Sequence, residues 1–346
     1  MLTTAAVLVL GGAPVMAAGH SYNVTDIGPT ATGTSVYVNY PSHVAGTAPS
    51  RHGVWFYDGT LHQIHGPAAA SEVVAAGLSN YDDILARATF NHGRIYRLFV
   101  VMHPASNPVW LKLPLPTGYV SSQPGGIGAW GNVVAGSIRH KGSILQKPAL
   151  WFFNGKTFGL PLLLRLPAGT NQGTAASVDK GRGGIYVADM AASGDGARFR
   201  AAVWIHRGGK TWTSLLQASS GSTSLATSIA DGEGATRYVA GILNRGGGPV
   251  PTAVVWTLHC WGRCVKMIHP RTLAPLGGAE WVNREGSVVG SGHFATPMIW
   301  NADHTSWKLP LIPTSINDKG NIAGVVVSSS YPEHAGLAMP APRESV

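Results

Sequence analysis

Ile316-Asn317-Asp318-Lys319-Gly320-Asn321-Ile322-Ala323-Gly324 reads as the end of one β-strand, a polar turn containing glycine, and a second strand. The same phrase returns as Val282-Asn283-Arg284-Glu285-Gly286-Ser287-Val288-Val289-Gly290, and in looser copies that start at Val38, Leu78, Ile127, Val178 and Ile229. A repeat of roughly 45–55 residues built from short strands points to a propeller or a related array. Working outward, each copy opens a four-strand unit. The phrase supplies strands a and b, and after a variable loop a third strand, c, ends near a tryptophan. Examples are Gly53-Val54-Trp55-Phe56, Ala149-Leu150-Trp151-Phe152, Ala202-Val203-Trp204-Ile205, Val254-Val255-Trp256 and Met298-Ile299-Trp300. Hairpin signals such as Tyr57-Asp58-Gly59 and Phe153-Asn154-Gly155 then lead to a fourth strand, d. The fourth strands are expected over Leu61–Ile64, Trp110–Leu113, Phe158–Leu162, Trp212–Leu216, Cys264–Ile268 and Trp307–Leu311. Unit two is the most divergent, because Tyr96-Arg97-Leu98-Phe99-Val100 lacks the tryptophan.

The ends of the chain decide between an open array and a ring. The seventh unit runs out before its fourth strand, while an orphan strand, Tyr22-Asn23-Val24-Thr25-Asp26-Ile27, stands near the start. Placing that strand beside the last unit closes a ring of seven four-stranded blades and removes the exposed edges of an open array. The expected fold is therefore an all-β, seven-bladed propeller in which the N-terminal strand completes the last blade. These phrases resemble the HAF-repeat family of probable extracellular repeat proteins, best at Ile316–Gly324 with His334-Ala335, at Val282–Gly290, and at the opening strand Tyr22–Gly28. The histidine of that family is kept clearly at His334, and Pro148, Ala201, Thr252 and Thr296 take its place elsewhere. The resemblance implies export and a propeller-like fold. It implies no catalytic residues.

Composition agrees with a large β-domain. The chain has 346 residues, 45% hydrophobic and 12% charged, with 45 Gly and 23 Pro punctuating strand-like runs. A high apolar fraction excludes a disordered chain. Leu2 to Ala18 is apolar and Val15-Met16-Ala17 ends on a small residue, so residues 1–17 read as a secretory leader and 18–346 as one domain. The alternative is an uncleaved anchor; no second run of spanning length follows, so no membrane span is expected in the mature chain. The protein is expected to be secreted or periplasmic. Both cysteines lie in Cys260-Trp261-Gly262-Arg263-Cys264, where a hairpin would let them face each other as a disulfide in an export compartment.

The residues that could carry chemistry are few. Asparagine or aspartate recurs near the a–b turn (Asn39, Asn80, Asp179, Asp231, Asn283, Asn317), which turn chemistry explains. Calcium-loop spacing is absent, His62 and His65 point to opposite sides of a strand, and no His-Glu-x-x-His or Gly-x-Ser-x-Gly occurs. No metal site and no cofactor are expected. The recurring strand-c tryptophans belong to packing between blades. Trp130, Trp261 and Trp281 fall off that pattern; Trp130 in an a–b turn and Trp261 in a c–d turn share a face and are candidates to stack on a sugar or a partner.

Charge is uneven. The net charge is +9 overall, −3 over residues 1–90, +8 over 91–180, +5 over 181–270 and −1 over 271–346. Consecutive blades are neighbours, so the middle units form a basic sector. Its cations Arg94, Arg97, Arg139, Lys141, Lys147, Arg198, Arg200 and Arg245 fall in b–c loops, which open on one face. Such a face attracts polyanions. Nucleic acid is not expected, because the basic loops lack interleaved aromatics. The function expected is an exported, non-enzymatic binding or scaffold protein whose partner is an anionic polysaccharide or a cell-surface protein. The alternative is a secreted carbohydrate-active hydrolase or lyase, which requires at least two acids, or a histidine with a tyrosine or arginine, to converge in the central funnel.

Overall fold

A computed structural model describes residues 21–341 except 92, 182, 194–198, 219–221, 245–250, 262–263, 268–269 and 327–332, and only the backbone of 261 and 264–267. The leader expected at residues 1–17, Arg198 and Arg245 therefore lie outside the described residues.

Seven antiparallel sheets are arranged as a β-propeller. Blade 1 is Tyr37–Val38, Val44–Thr47, Gly53–Tyr57 and Leu61–His65. Blade 2 is Glu72–Leu78, Ile84–Phe90, Ile95–Met102 and Val109–Lys112. Blade 3 is Tyr119–Ile127, Val133–His140, Gln146–Phe152 and Leu162–Leu163. Blade 4 has an inner strand interrupted into Gln172–Gly173 and Ser177–Gly181, then Gly184–Ala192, Phe199–Arg207 and Lys210–Leu215. Blade 5 is Thr223–Asp231, Thr236–Asn244 and Pro251–Trp261, with Cys264–Met267 and Arg271–Pro275 sharing the outer edge. Blade 6 is Gly278–Val282, Val288–Ser291, Pro297–Trp300 and Ser306–Lys308. Blade 7 is Leu311–Ile316, Ile322–Val326 and His334–Pro340, completed by Tyr22–Pro29, which pairs from Tyr22 opposite Pro340 to Pro29 opposite His334. The closure read from the two unmatched ends of the chain is the closure observed.

Two outer strands differ from expectation. In blade 3 the ladder forms at Leu162–Leu163 rather than from Phe158; Phe158 makes a single bridge to Phe153 and turns inward, 3% exposed, into the core. In blade 5 the strand after the cysteines pairs only the far end of Pro251–Trp261, and Arg271–Pro275 pairs the near end. The expected disulfide is not shown. Cys260 is a free thiol, and the ladder sets Cys260 opposite Val265 and Trp261 opposite Cys264, so the cysteines are one residue out of register.

Packing explains the recurrence of tryptophan. Seven clusters of buried apolar side chains lie among the described residues, each drawn from two neighbouring blades. The core is thus seven inter-blade sandwiches around an axis. Trp151, Trp204 and Trp256 are fully buried and donate their indole N–H to Pro114, Arg165 and Gln217 carbonyls at 2.8, 2.9 and 2.9 Å. Each acceptor sits on the link arriving from the preceding blade, so one side chain fills an interface and pins a connection. The glycine of the Val-Ala-Gly phrase makes room for the ring: a β-carbon at Gly46 would stand 2.3 Å from Trp55 Cζ2, and one at Gly241 2.7 Å from Trp256 Cζ3. Blade 2, where Val100 takes the place of the tryptophan, carries Arg87 at the glycine position.

The turn asparagines do two jobs. Asn39, Asn283 and Asn317 accept through Oδ1 from backbone N–H groups of their own turns. Through Nδ2 they donate to the next blade, Asn39 to Ser79 O, Asn283 to Asn317 O and Asn317 to Asn39 O, at 2.9, 3.0 and 2.7 Å. The amide therefore stitches neighbouring a–b turns as well as shaping its own. In blade 2 the turn role expected of Asn80 falls to Ser79, whose Oγ accepts from Tyr81 and Asp83 N–H. Among the described residues no helix is long and apolar enough to cross a membrane.

Candidate functional site

Inner strands of a propeller line its axis, and here those of blades 2, 3, 5, 6 and 7 carry a β-bulge. Register shifts leave Ala76, Gly125, Thr227, Glu280 and Thr314 unpaired, each two residues before the apolar residue that opens its copy of the repeated phrase (Leu78, Ile127, Ile229, Val282 and Ile316). Blade 4 adds its extra residue at the interruption, between Gly173 opposite Ala191 and Ser177 opposite Ala188. A bulge re-aims a side chain that would otherwise pack between blades. Gly125, Ala176, Thr227, Glu280 and Thr314 accordingly line one cavity of about 250 Å3 in the channel, on the side of the b–c loops. The position is crowded where strands converge: a β-carbon at Gly125 would stand 1.7 Å from the Ala175 carbonyl oxygen. Small residues are what this place accepts, and Glu280 is the departure.

The next position inward holds Tyr37, Gly77, Gly126, Ser177, Ser228, Trp281 and Ser315. The serines stitch inner strands together. Ser177 Oγ accepts from Ile229 N–H, Ser228 Oγ from Val282 N–H and Ser315 Oγ from Val38 N–H, at 3.2, 3.3 and 2.9 Å. Trp281 and Tyr37 are the departures. They belong to blades 6 and 1, with blade 7 between them, and meet edge to face with ring centroids 6.1 Å apart. Trp281 lines both the loop-side cavity and a second cavity opening among the a–b turns, so it partitions the channel.

A second acid reaches the loop-side cavity from blade 4. In blades 3, 5 and 6 the residue two after the partner of the strand-c tryptophan is Gly136, Gly241 or Gly290; in blade 4 it is Asp189. Asp189 is 6% exposed and hydrogen-bonds Thr174 and the Met190 N–H. Among the described residues it has no ion-pair partner, unlike Arg87 at the same position of blade 2, which pairs with Glu72 at 3.3 Å. Burial pushes the Asp189 carboxyl up to about 7, the two hydrogen bonds opposing the rise. Glu280 stays open to water from the mouth, yet the channel walls also raise its carboxyl above the usual range. Both acids thus keep a proton to higher pH than a free carboxyl. Ser35, Thr227 and Thr314 add hydroxyls to the same wall. Among the described residues no cluster of His, Cys, Asp or Glu is arranged to hold a metal ion.

The raised carboxyl of Asp189 has a consequence for stability. Its folded pKa lies above its unfolded value, so between about pH 4 and pH 7 the folded chain binds the extra proton and stability falls as pH rises. Asp189→Asn is expected to remove that fall. In urea unfolding the variant should match the wild type near pH 4 and exceed it at pH 8 by roughly 4 kcal/mol, because each tenfold change in proton affinity is worth about 1.4 kcal/mol. Equal pH slopes for the two proteins would refute the assignment.

The basic residues divide. Arg97 is half-buried, donates to the Tyr96 and Val120 carbonyls, and is drawn below the usual guanidinium range by burial. Arg139 donates to Ser143 O at 3.3 Å, and Lys147 Nζ donates to Asn171 O at 2.6 Å, tying blade 3 to blade 4. Those three brace loops. Arg94, Lys141 and Arg200 are exposed on the b–c loop face of blades 2, 3 and 4. Trp130 is 54% exposed in the a–b turn of blade 3, on the opposite face, and the backbone of Trp261 places it at the c–d hairpin of blade 5. The structure does not bring these tryptophans to the acids. The residues that meet at the loop-side cavity, Asp189, Glu280, Tyr37 and Trp281, were not among the sequence candidates, although Trp281 was noted as off-pattern. Their signal in the sequence is departure from the chain's own repeat.

Comparison with known proteins agrees with the fold and stops there. Neither family models nor curated sequences match the chain. Among solved structures, a streptogramin B lyase superposes with a TM-score of 0.57 at 11% identity, covering 92% of this chain and 98% of that one. A catalytically inactive virginiamycin B lyase from Staphylococcus aureus, solved with quinupristin, gives 0.57 and 11%, covering 92% and 99%. A protein of unknown function from Dyadobacter fermentans gives 0.50 and 10%, covering 92% and 99%. At such identities the likeness is one of β-propeller architecture.

Proposed function

We propose that the chain is an exported binding propeller of HAF-repeat type that takes an acidic polysaccharide at the loop-side mouth of its channel. The observation that carries this reading is the pair of successive departures in blade 6, Glu280 and Trp281, which with Tyr37 puts aromatic rings, hydroxyls and protonatable acids in one cavity. Aromatic faces suit the C–H faces of a sugar ring, and hydroxyls and carboxyls suit its edges. The exposed cations Arg94, Lys141 and Arg200 draw a polyanion to that face, and Phe294, 85% exposed in the b–c loop of blade 6, adds an apolar contact. Arg97, Arg139 and Lys147 lie near the same face and also hydrogen-bond backbone carbonyls.

Polygalacturonate, alginate and hyaluronan are the probes. Binding to at least one is expected at low salt and should weaken as salt rises. Lys141→Ala with Arg200→Ala should lower affinity about tenfold at low salt and flatten the salt dependence. Trp281→Ala should weaken binding at every salt concentration. Failure of all three polymers to bind at low salt would sink the proposal.

A second reading rests on the two raised carboxyls in one cavity. An acid that holds its proton toward neutral pH, in a cavity lined by a second carboxyl, is of the kind used for cleaving a glycosidic link. Release of new chain ends from a bound polymer, lost in both Asp189→Asn and Glu280→Gln, would favour it over simple binding.

A further inference from the structure

The opposite mouth of the channel has a different surface. Among the described residues four aromatic side chains are exposed beyond a third of their area, and three of them, Tyr40, Tyr81 and Trp130, stand in the a–b turns of blades 1, 2 and 3. Tyr81 and Trp130 have ring centroids 5.9 Å apart with planes inclined by 40°. Lys319 Nζ lies 4.7 Å over the Tyr40 ring and fixes one of its faces. From Trp130 the surface continues as a cavity of about 550 Å3 that it shares with Lys180, Asp231 and Arg284. Charges here are of both signs, and some are paired in place. Arg284 pairs with Asp318 at 3.4 Å, and Asp231 with the buried Arg237 at 2.5 Å. The turn-side mouth is therefore aromatic and balanced in charge, whereas the loop-side mouth is basic at its rim.

We propose that the a–b turn face is a second, separate ligand site, for an uncharged oligosaccharide stacked along Tyr40, Tyr81 and Trp130. Exposed rings stand at the a–b turns of three successive blades, and an extended chain of flat units can run along them from turn to turn as a globular partner cannot. Exposed tyrosine and tryptophan supply contact area at low entropic cost. Apart from the paired Arg284, the exposed cations of the a–b turns among the described residues, Lys180 and Lys319, are matched in number by the exposed Glu233 and Glu285. A face with no excess of positive charge does not favour a polyanion. Trp281 is the one residue shared by the linings of the loop-side cavity and of the cavity among the a–b turns, and the cavity at Trp130 shares no residue with the loop-side one. The inference stands on the turn face alone and does not rest on the loop-side reading.

Titration calorimetry of the full chain with cellohexaose, chitohexaose and maltohexaose tests it. At least one of the three should bind saturably and with little dependence on salt. The double variant Tyr81→Ala with Trp130→Ala should lower that affinity by about tenfold or more, and Trp130→Phe should keep most of it. Both side chains are exposed, so the variants should melt with the wild type. Glu280→Gln, and Lys141→Ala with Arg200→Ala, should leave it unchanged. Absence of saturable binding to all three, which would leave the face to a protein partner, overturns the proposal, as does undiminished affinity in the double variant.

Discussion

Deleting residues 21–29 is expected to be more damaging than any single substitution, with a loss above about 5 kcal/mol that takes most of the stability of an ordinary domain. The segment is one eight-residue strand, but it acts at three places. It pairs His334–Pro340 along its length, and its removal exposes that strand as a bare edge. Its Ile27 packs into the cluster between blades 7 and 1, and its Tyr22 into the cluster between blades 6 and 7. A ring opened at one blade also loses the mutual support of its neighbours. Thermal unfolding of the shortened chain should lose its cooperative transition, and a synthetic peptide of residues 21–30 should restore it by strand addition. A shortened chain that melts within a few degrees of the intact one would show that blade 7 holds without its outer strand.

Trp204→Ala is expected to cost about 3–5 kcal/mol in urea unfolding, the range for removing a large buried aromatic side chain. Trp204 is fully buried among residues of blades 3 and 4, and its Nε1 donates to Arg165 O, which also accepts from Thr213 Oγ1 at 2.7 Å. Trp204→Phe keeps most of the ring and loses the donor, so its cost should stay near 1–2 kcal/mol. Trp130→Ala, at an exposed turn, should fall within about 0.5 kcal/mol of the wild type. A Trp204→Ala loss as small as that of Trp130→Ala would mean the interface collapses to fill the space.

The ring was legible because its information is repeated. Seven copies of a strand–turn–strand phrase, and a lone strand at one end with a missing strand at the other, determine blade number and closure without any one copy being clear. Outer strands were less legible. The edge of a blade is held by few ladder bonds, so Phe158 could leave the strand for the core, and blade 5 could share its edge between Cys264–Met267 and Arg271–Pro275. The loop-side site was illegible for a different reason. Reading by repeat rewards what recurs, and Asp189, Glu280 and Trp281 are the places where recurrence breaks. The meaning of Glu280 depends on a bulge that turns it toward the axis, and nothing in composition or hydropathy marks a bulge. The basic loops were legible as charge but not as role, because whether a lysine faces a ligand or a neighbouring carbonyl is settled by loop geometry, as with Lys147 and Asn171 O.

The seam in blade 7 also governs how the disc can be held. Ala341 N–H donates to Ser21 O at 2.8 Å, so the described chain enters and leaves side by side, where other blades have the hairpin between their third and fourth strands. That point lies at the rim of the turn face. A short linker from 341 to 21 would supply the missing hairpin, and the chain could then be reopened at another such hairpin, for instance at Asp58-Gly59, to give the same disc from a permuted sequence. Equally, anything joined directly at Ser21 or Ala341 would attach to the disc at its edge.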